Sequence, residues 1–171
     1  MPLSAELGWT RAMVSGAISL ASLALGVLAL VSGALVDRYG PRWLIMGSGL
    51  LTGLGYALTS RVESLWQFYL CYLLVGLGMG IAFGPITATV LRWFEEKRGL
   101  ALGITSLGAG IGGMVFPPLT YQLISLWGWR GGYLFLGALL GCTVILASAF
   151  LKREPREMGL SPYGGGMSEG R

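Results

Sequence analysis

Charged residues are confined to short gaps between five long uncharged stretches, and this spacing limits the possible folds more than any other feature. The uncharged stretches are 12–36, 43–60, 64–91, 99–129 and 131–151. About 20 apolar residues are enough for a helix to cross ~30 Å of hydrocarbon, and a charge at the bilayer centre costs at least ~2.5 kcal/mol. The outer faces of a soluble helix bundle meet water, so such a bundle has no reason to exclude charge from runs this long. The sequence therefore predicts an all-α integral membrane protein with five transmembrane helices, near 13–35, 43–60, 66–90, 99–120 and 131–151.

The composition supports a membrane fold and excludes several functions. Only 12% of the 171 residues are charged, about half the share in soluble domains. Most of the 29 glycines lie in the apolar runs, where small residues let membrane helices approach closely. The net charge of +4 comes from residues scattered among short gaps, so we predict no nucleic-acid partner. The chain has no His, and Cys71 and Cys142 lie in apolar runs, so no cofactor or metal site is predicted.

The basic residues predict the orientation in the membrane. Nine of them follow the first, third or fifth predicted helix, whereas only Arg11, Arg61 and Arg130 lie on the other side. By the positive-inside rule, the N-terminus is outside and the C-terminus is cytoplasmic, in a plasma or inner membrane. The predicted parts are a short extracellular or periplasmic N-terminus (1–12), the transmembrane bundle (13–151) and a polar, Gly-rich cytoplasmic tail (152–171). The apolar run 12–36 is too long for a signal peptide, and its basic flank follows it.

The sequence repeats itself weakly at offsets of 87 and 88 residues. Five residues in 11–26 recur with identical spacing in 98–113, and the segment 39–42 (Tyr-Gly-Pro-Arg) aligns with 127–130 (Trp-Gly-Trp-Arg). The charge distribution gives the two copies opposite orientations, as in the inverted repeats of secondary transporters. The helix near 66–90, shifted back by 87 residues, falls before Met1. The five helices are therefore predicted to be helices two to six of a three-plus-three repeat.

A loop after the first predicted helix carries the most specific motif. Residues 33–42 read Gly-Ala-Leu-Val-Asp-Arg-Tyr-Gly-Pro-Arg, which resembles the G-x-L-x-D-R-x-G-x-R loop of the major facilitator superfamily, between that family's second and third helices. The resemblance implies a secondary transporter that works by alternating access. It also implies a cytoplasmic gating loop. The residues of this chain that match the fixed positions of the motif are Gly33, Asp37, Arg38, Gly40 and Arg42.

Weaker resemblances narrow the branch. Residues 92–103, with Arg-Trp-Phe and Lys-Arg-Gly-Leu-Ala-Leu-Gly, are similar to the passage into the fifth helix of monocarboxylate-transporter-like and oxalate/formate-antiporter-like members. The resemblance covers nearly the whole chain but only about the first half of a family member. It implies a small organic anion, such as a monocarboxylate, as the substrate, carried by an antiporter or a symporter.

The helix near 99–120 is rich in small residues. We expect its glycines to serve helix packing, above all Gly103, Gly108 and Gly112. The Pro117-Pro118 pair is expected to kink the outer end of this helix.

The sequence gives little evidence for a substrate site. No charged residue lies inside the predicted helices, and the weak candidates for substrate binding are Thr87, Thr105 and Ser106. These hydroxyls could line a cavity, or they could donate to the carbonyl four residues earlier in their own helix.

Three functions compete at this stage. The leading hypothesis is a partial transporter that does not transport alone and needs a second half or an intact transporter as partner. The alternative is a free-standing small membrane protein that dimerises with or regulates an intact transporter. An enzyme is not predicted, because no acid, base or paired Cys lies at membrane depth.

Overall fold

In the part of the chain that the structure describes, regular secondary structure is helical. The structure is a computed structural model that describes residues 6–94 and 96–150, apart from the side chain of Phe150. Its four helices are α1 (Arg11–Tyr39), α2 (Pro41–Thr59), α3 (Leu65–Trp93) and α4 (Arg98–Phe150). In length and composition, α1, α3 and α4 are long and apolar enough to cross a membrane. The predicted tail 152–171 lies outside the described residues.

Short polar and glycine-containing segments set the ends of the helices. The Thr10 hydroxyl accepts a 3.3 Å hydrogen bond from the Met13 N–H and caps the start of α1. Gly40, at φ 79°, ends α1, and Pro41 is the first residue of α2. Proline suits this position because the N–H that it lacks would have no partner within the helix. Before α3, the Gln67 side chain accepts from the backbone N–H groups of Glu63 and Ser64. Relative to the predictions, α1 begins two residues earlier and ends four later, and α2 begins two residues earlier and ends one earlier. α3 begins one residue earlier and ends three later.

α4 is broken at Gly128, where φ is 72° and ψ is 170°. A straight helix would separate Ile124 and Gly132 by about 12 Å, yet a Cβ added at Gly132 would lie 3.0 Å from the Ile124 Cγ1. The chain therefore folds back at Gly128, and we call residues 98–127 the first arm and 129–150 the second arm of α4.

The position of this break differs from the sequence expectation. The helix near 99–120 continues to residue 127, and the backbone of Pro117 and Pro118 stays helical. A proline removes one N–H donor, but its own φ of about −65° is compatible with a helix. Gly128 ends the first arm because glycine, unlike other residues, adopts a positive φ without steric cost.

Close helix contacts form at glycines, where no side chain holds the two backbones apart. α1 packs along α3 in the same direction, since a Cβ at Gly76 would lie 2.7 Å from the Ala21 Cα and one at Gly80 would lie 3.1 Å from the Leu25 Cα. α2 packs on the opposite side of α3 and runs antiparallel to it. There, a Cβ at Gly55 would lie 3.0 Å from the Cys71 carbonyl oxygen.

The contact between α2 and the second arm of α4 is nearly self-complementary. A Cβ at Gly53 would lie 3.0 Å from the Gly137 carbonyl oxygen and 3.0 Å from the Gly141 Cα. Conversely, a Cβ at Gly137 would lie 2.7 Å from the Gly53 carbonyl oxygen. Residues 49 and 53 align with 137 and 141 at the repeat offset of 88. The two helices therefore meet through glycines that the predicted repeat pairs with each other, an arrangement like that of two copies across a twofold axis.

The core at the end of the bundle that holds the α2–α3 loop is aromatic. Ring centroids lie 5.3 Å apart for Trp9 and Phe68 and 4.6 Å apart for Phe68 and Tyr72. Tyr56 stacks on Tyr133 at 6.2 Å, and the Tyr72 and Tyr133 hydroxyls share a 2.9 Å hydrogen bond. This cluster joins the start of α3 to α2 and the second arm.

The first arm of α4 makes few contacts with the rest of the described chain. Most of its side chains are exposed, including large apolar ones such as Leu107, Ile111 and Met114. The bundle of α1, α2, α3 and the second arm is therefore closely packed, while the first arm lies open along most of its length.

Candidate functional site

A charged pair at the predicted gating loop links the last turns of α1 and α3. Asp37, in the last turn of α1, accepts a hydrogen bond of 3.3 Å from the Arg92 guanidinium, in the last turn of α3. The Asp37 side chain is 75% exposed and that of Arg92 is 29% exposed. An ion pair this exposed contributes about 0–1 kcal/mol to stability. The pair therefore adds little to the stability of the bundle.

The other predicted loop residues lie on both sides of Asp37 in the chain. Gly40 supplies the left-handed turn between α1 and α2, and the Arg38 guanidinium lies 5.5 Å from the ring centroid of Tyr39. Arg42 is exposed in the first turn of α2. A Cβ at Gly33 would meet nothing within 4 Å, whereas a Cβ at Gly84 would lie 2.9 Å from the Gly33 backbone nitrogen. The close contact of α1 with α3 at this point therefore depends on Gly84 rather than on Gly33.

Arg92 was not among the residues predicted for the loop. It lies 55 residues from Asp37 in the chain, so local sequence could not pair the two. The sequence feature that could have identified Arg92 is its place in the Arg-Trp-Phe segment at a predicted helix end.

The hydroxyls predicted as weak substrate ligands do not form one site. Thr87 donates to the Phe83 carbonyl at 3.0 Å, and Thr105 donates to the Ala101 carbonyl at 2.9 Å. Both bonds run to the residue four positions earlier, which was one of the two alternatives that the sequence left open. Ser106 is exposed on the first arm.

A cavity of about 390 Å³ lies between the end of α3 and the start of the first arm. Its lining is mainly apolar and comes from both helices and the segment between them: Val90, Phe94, Lys97, Leu100, Ala101, Ile104 and Thr105. Thr105 is the one substrate candidate that reaches this cavity.

The glycines predicted for helix packing on the first arm face open space in this structure. A Cβ at Gly103 or Gly108 would have no neighbour within 4 Å, and one at Gly112 would meet only Phe116 of the same helix, at 3.7 Å.

A second polar cluster, missed by the sequence analysis, lies at the opposite end of the bundle from Asp37. The Glu6 carboxylate accepts from the Trp129 indole at 2.5 Å through Oε2, and from the Arg130 guanidinium through Oε1. The Arg130 guanidinium also stacks on the Trp129 ring, 4.3 Å from its centroid. The hydrogen bond from Trp129, followed by that from Arg130, lowers the pKa of Glu6 below its ordinary value of 4.5.

The described residues contain no group of three or more Cys, Asp or Glu side chains placed to hold a metal ion. Among the described residues, the polar groups at the two ends of the bundle pair Asp37 with Arg92 at one end, and Glu6 with Trp129 and Arg130 at the other.

Comparison with known proteins identifies a family and several relatives. A family model described as Major Facilitator Superfamily matches residues 1–166. The chain is 34% identical over 158 residues to an oxalate:formate antiporter of Oxalobacter formigenes, covering 92% of this chain and 38% of that protein. It is 36% identical over 130 residues to monocarboxylate transporter 13 of Bos taurus, covering 73% and 30% of the two chains. It is 34% identical over 137 residues to monocarboxylate transporter 11 of Homo sapiens, covering 77% and 29%. The chain thus spans less than two fifths of the length of these relatives.

Proposed function

We propose that this chain, which belongs to the major facilitator superfamily, forms part of a secondary transporter for a small organic anion. Its relatives are transporters, and the chain is a membrane-transport protein rather than an enzyme. The substrate class comes from the names of the relatives, which are an oxalate:formate antiporter and monocarboxylate transporters. The chain would supply five crossings, the second to sixth helices of one transporter half, with the N-terminus outside and the C-terminus cytoplasmic.

The inverted repeat is supported by backbone geometry that the sequence alignment did not use. Gly40 has φ 79° and ψ 157°, and its aligned partner Gly128 has φ 72° and ψ 170°. Non-glycine residues hardly populate this region of φ and ψ. Two aligned glycines in the same rare conformation, each preceding an Arg-containing helix start, support a common ancestor for the two segments.

The same repeat accounts for the open first arm. In the first copy, α1 packs on α3 through Ala21 and Leu25. At the offset of 87, these positions correspond to Gly108 and Gly112 on the first arm. In the second copy, the partner of the first arm would be a helix equivalent to α3, and the face of Gly108 and Gly112 would receive that helix.

Asp37 and Arg92 would then act in gating. Because the ion pair adds little to stability, its loss should change the balance between inward-open and outward-open states more than it changes folding. The observation that carries the proposal is the Asp37–Arg92 pair at the loop that matches the family motif.

The open first arm is also compatible with the alternative function, a free-standing membrane protein that regulates an intact transporter. A small membrane protein that regulates an intact transporter would need an unpartnered helix face, and the first arm provides one. The two functions differ in whether this chain contributes directly to a transport pathway.

Complementation tests the proposal and separates the two functions. The chain is expressed together with the complementary segments of the Oxalobacter formigenes antiporter, and uptake of labelled oxalate and formate into vesicles is measured. We expect uptake only when both parts are present, and at least about a tenfold loss with Asp37→Asn.

Glu63→Gln, which changes an exposed carboxylate at the other end of the bundle, is the matched control and should leave uptake unchanged. Uptake by the chain alone that survives Asp37→Asn would refute the proposal, and stimulation of an intact antiporter would favour the regulatory alternative.

A further inference from the structure

The cluster of Glu6, Trp129 and Arg130 has the geometry of a bound carboxylate. Each Glu6 oxygen accepts from a different donor: Oε2 from the Trp129 indole at 2.5 Å and Oε1 from the Arg130 guanidinium. Two donors directed at the two oxygens of one carboxylate bind it more tightly and more specifically than a single point charge does.

The two donors are held in place independently of Glu6. Trp129 is only 3% exposed and lies among residues of the aromatic core, with its ring 6.4 Å from that of Tyr133. Arg130 follows it directly and stacks on its ring. Glu6, by contrast, precedes α1, and its side chain is 49% exposed.

We propose that Trp129 and Arg130 form a carboxylate-binding site at the outer end of the bundle, and that Glu6 occupies it as an internal ligand. A small monocarboxylate of the formate or acetate type can replace the Glu6 side chain, since it offers the same two oxygens to the same two donors. The site lies at the end of the bundle opposite Asp37, where Trp129 belongs to the buried core. Only its assignment to the outer side of the membrane rests on the proposed function.

The physical basis for exchange is the cost of leaving the Trp129 N–H unpaired. A buried donor without an acceptor has lost its hydrogen bonds to water without replacement, so the indole favours any carboxylate that reaches it when Glu6 leaves. A tethered carboxylate competes at an effective concentration in the mM range. Free carboxylate therefore binds weakly to the native chain and more tightly once Glu6 is removed.

NMR spectroscopy of the purified full chain in detergent micelles tests this site. The tryptophans are labelled with ¹⁵N, and the indole resonance of Trp129 is assigned by its loss in Trp129→Phe. Sodium acetate is the probe, and sodium chloride at equal ionic strength is the reference. In Glu6→Ala, we expect acetate to shift the Trp129 resonance saturably, with at least about a tenfold tighter apparent affinity than in the native chain.

Matched variants separate the site from general charge effects. Arg130→Gln in the Glu6→Ala background should abolish the shift, whereas Arg61→Gln in that background should preserve it. Glu63→Ala, which removes another exposed carboxylate near the same end, should bind acetate no better than the native chain. Unchanged resonances of the other indoles establish that each variant is folded, and Glu6→Gln provides a milder replacement.

Three results would overturn the site: no saturable acetate shift in either Glu6 variant, an equal shift with chloride, or equal loss in Arg61→Gln and Arg130→Gln. Because this experiment measures binding to the isolated chain, its outcome is independent of whether the chain supports transport.

Discussion

Two sets of helix glycines, similar in sequence, have opposite surroundings. On α3, a Cβ at Gly76, Gly78, Gly80 or Gly84 would collide with the backbone or side chains of α1 or α2. On the first arm of α4, a Cβ at Gly103, Gly108, Gly110 or Gly113 would meet nothing within 4 Å. Glycine spacing therefore predicts that a helix face is suited to close contact, but it does not tell whether the contacting helix belongs to the same chain.

The largest expected loss of stability comes from adding a side chain to a glycine on α3, with a glycine on the first arm as the control. Gly76→Leu places carbon atoms where the Ala21 backbone lies, so α1 must move away from α3. We expect a loss of about 3 kcal/mol in the free energy of unfolding, measured by SDS titration in mixed micelles with far-UV circular dichroism. Gly108→Leu is the matched control, and it should cost less than about 0.5 kcal/mol in this chain. Equal losses for the two variants would contradict the packing described for the first arm.

A smaller effect is expected at the two equivalent turns. Gly40→Ala and Gly128→Ala force a side chain into the region of φ near 75° that non-glycine residues avoid, and each should destabilise the chain by about 1–3 kcal/mol. Gly47→Ala is the control, because a Cβ there has no neighbour within 4 Å and the residue lies within α2. That variant should gain up to about 1 kcal/mol. Thermal unfolding measures all three, and a large difference between Gly40→Ala and Gly128→Ala would argue against their equivalence.

The contact between α2 and the second arm allows a graded test. A Cβ at Gly53 would lie 3.0 Å from the backbone of the second arm, whereas one at Gly141 would lie 3.4 Å from the Gly53 Cα. Gly53→Ala should therefore cost about 1–2 kcal/mol and Gly141→Ala less than about 0.5 kcal/mol in the same SDS titration. The reverse order would show that the two helices meet in a different register.

The smallest expected effect is the dependence of the Glu6 cluster on pH. The pKa of Glu6 is lowered by hydrogen bonds from Trp129 and Arg130. The contribution of this cluster is therefore fully present above the ordinary pKa of 4.5 and is lost as the pH falls through the lowered value. Tryptophan fluorescence of the native chain should change in this acidic range. Glu6→Gln should remove the change, and a transition that persists in that variant would belong to another group.

Much of the fold followed from the sequence, because charge placement alone located the helices. The bounds of α1, α2 and α3 lie within four residues of the predictions, since a charge-free run of about 20 residues has few alternatives to a helix in lipid. Gly128 as the break in α4 was less evident, because the two prolines offered a competing position for the end of the helix.

The polar contacts were harder to predict. The Asp37–Arg92 and Glu6–Trp129 pairs join residues 55 and 123 positions apart, and only the packing of α1 on α3, and of the N-terminal segment on the second arm, brings them together. By contrast, the hydrogen bonds of Thr87 and Thr105 are local, and local bonds of this kind were one of the two alternatives for these hydroxyls.

The central claim is that two segments of this chain are copies with opposite orientations in the membrane. Tyr39 and Trp127 are equivalent at the offset of 88, and both are exposed. Each is changed to Cys in a background carrying Cys71→Ala and Cys142→Ala, and a membrane-impermeant maleimide is applied to intact cells and to permeabilised cells. We predict that Trp127→Cys is labelled in intact cells, whereas Tyr39→Cys is labelled only after permeabilisation. Labelling of both positions from the same side would contradict the inverted repeat.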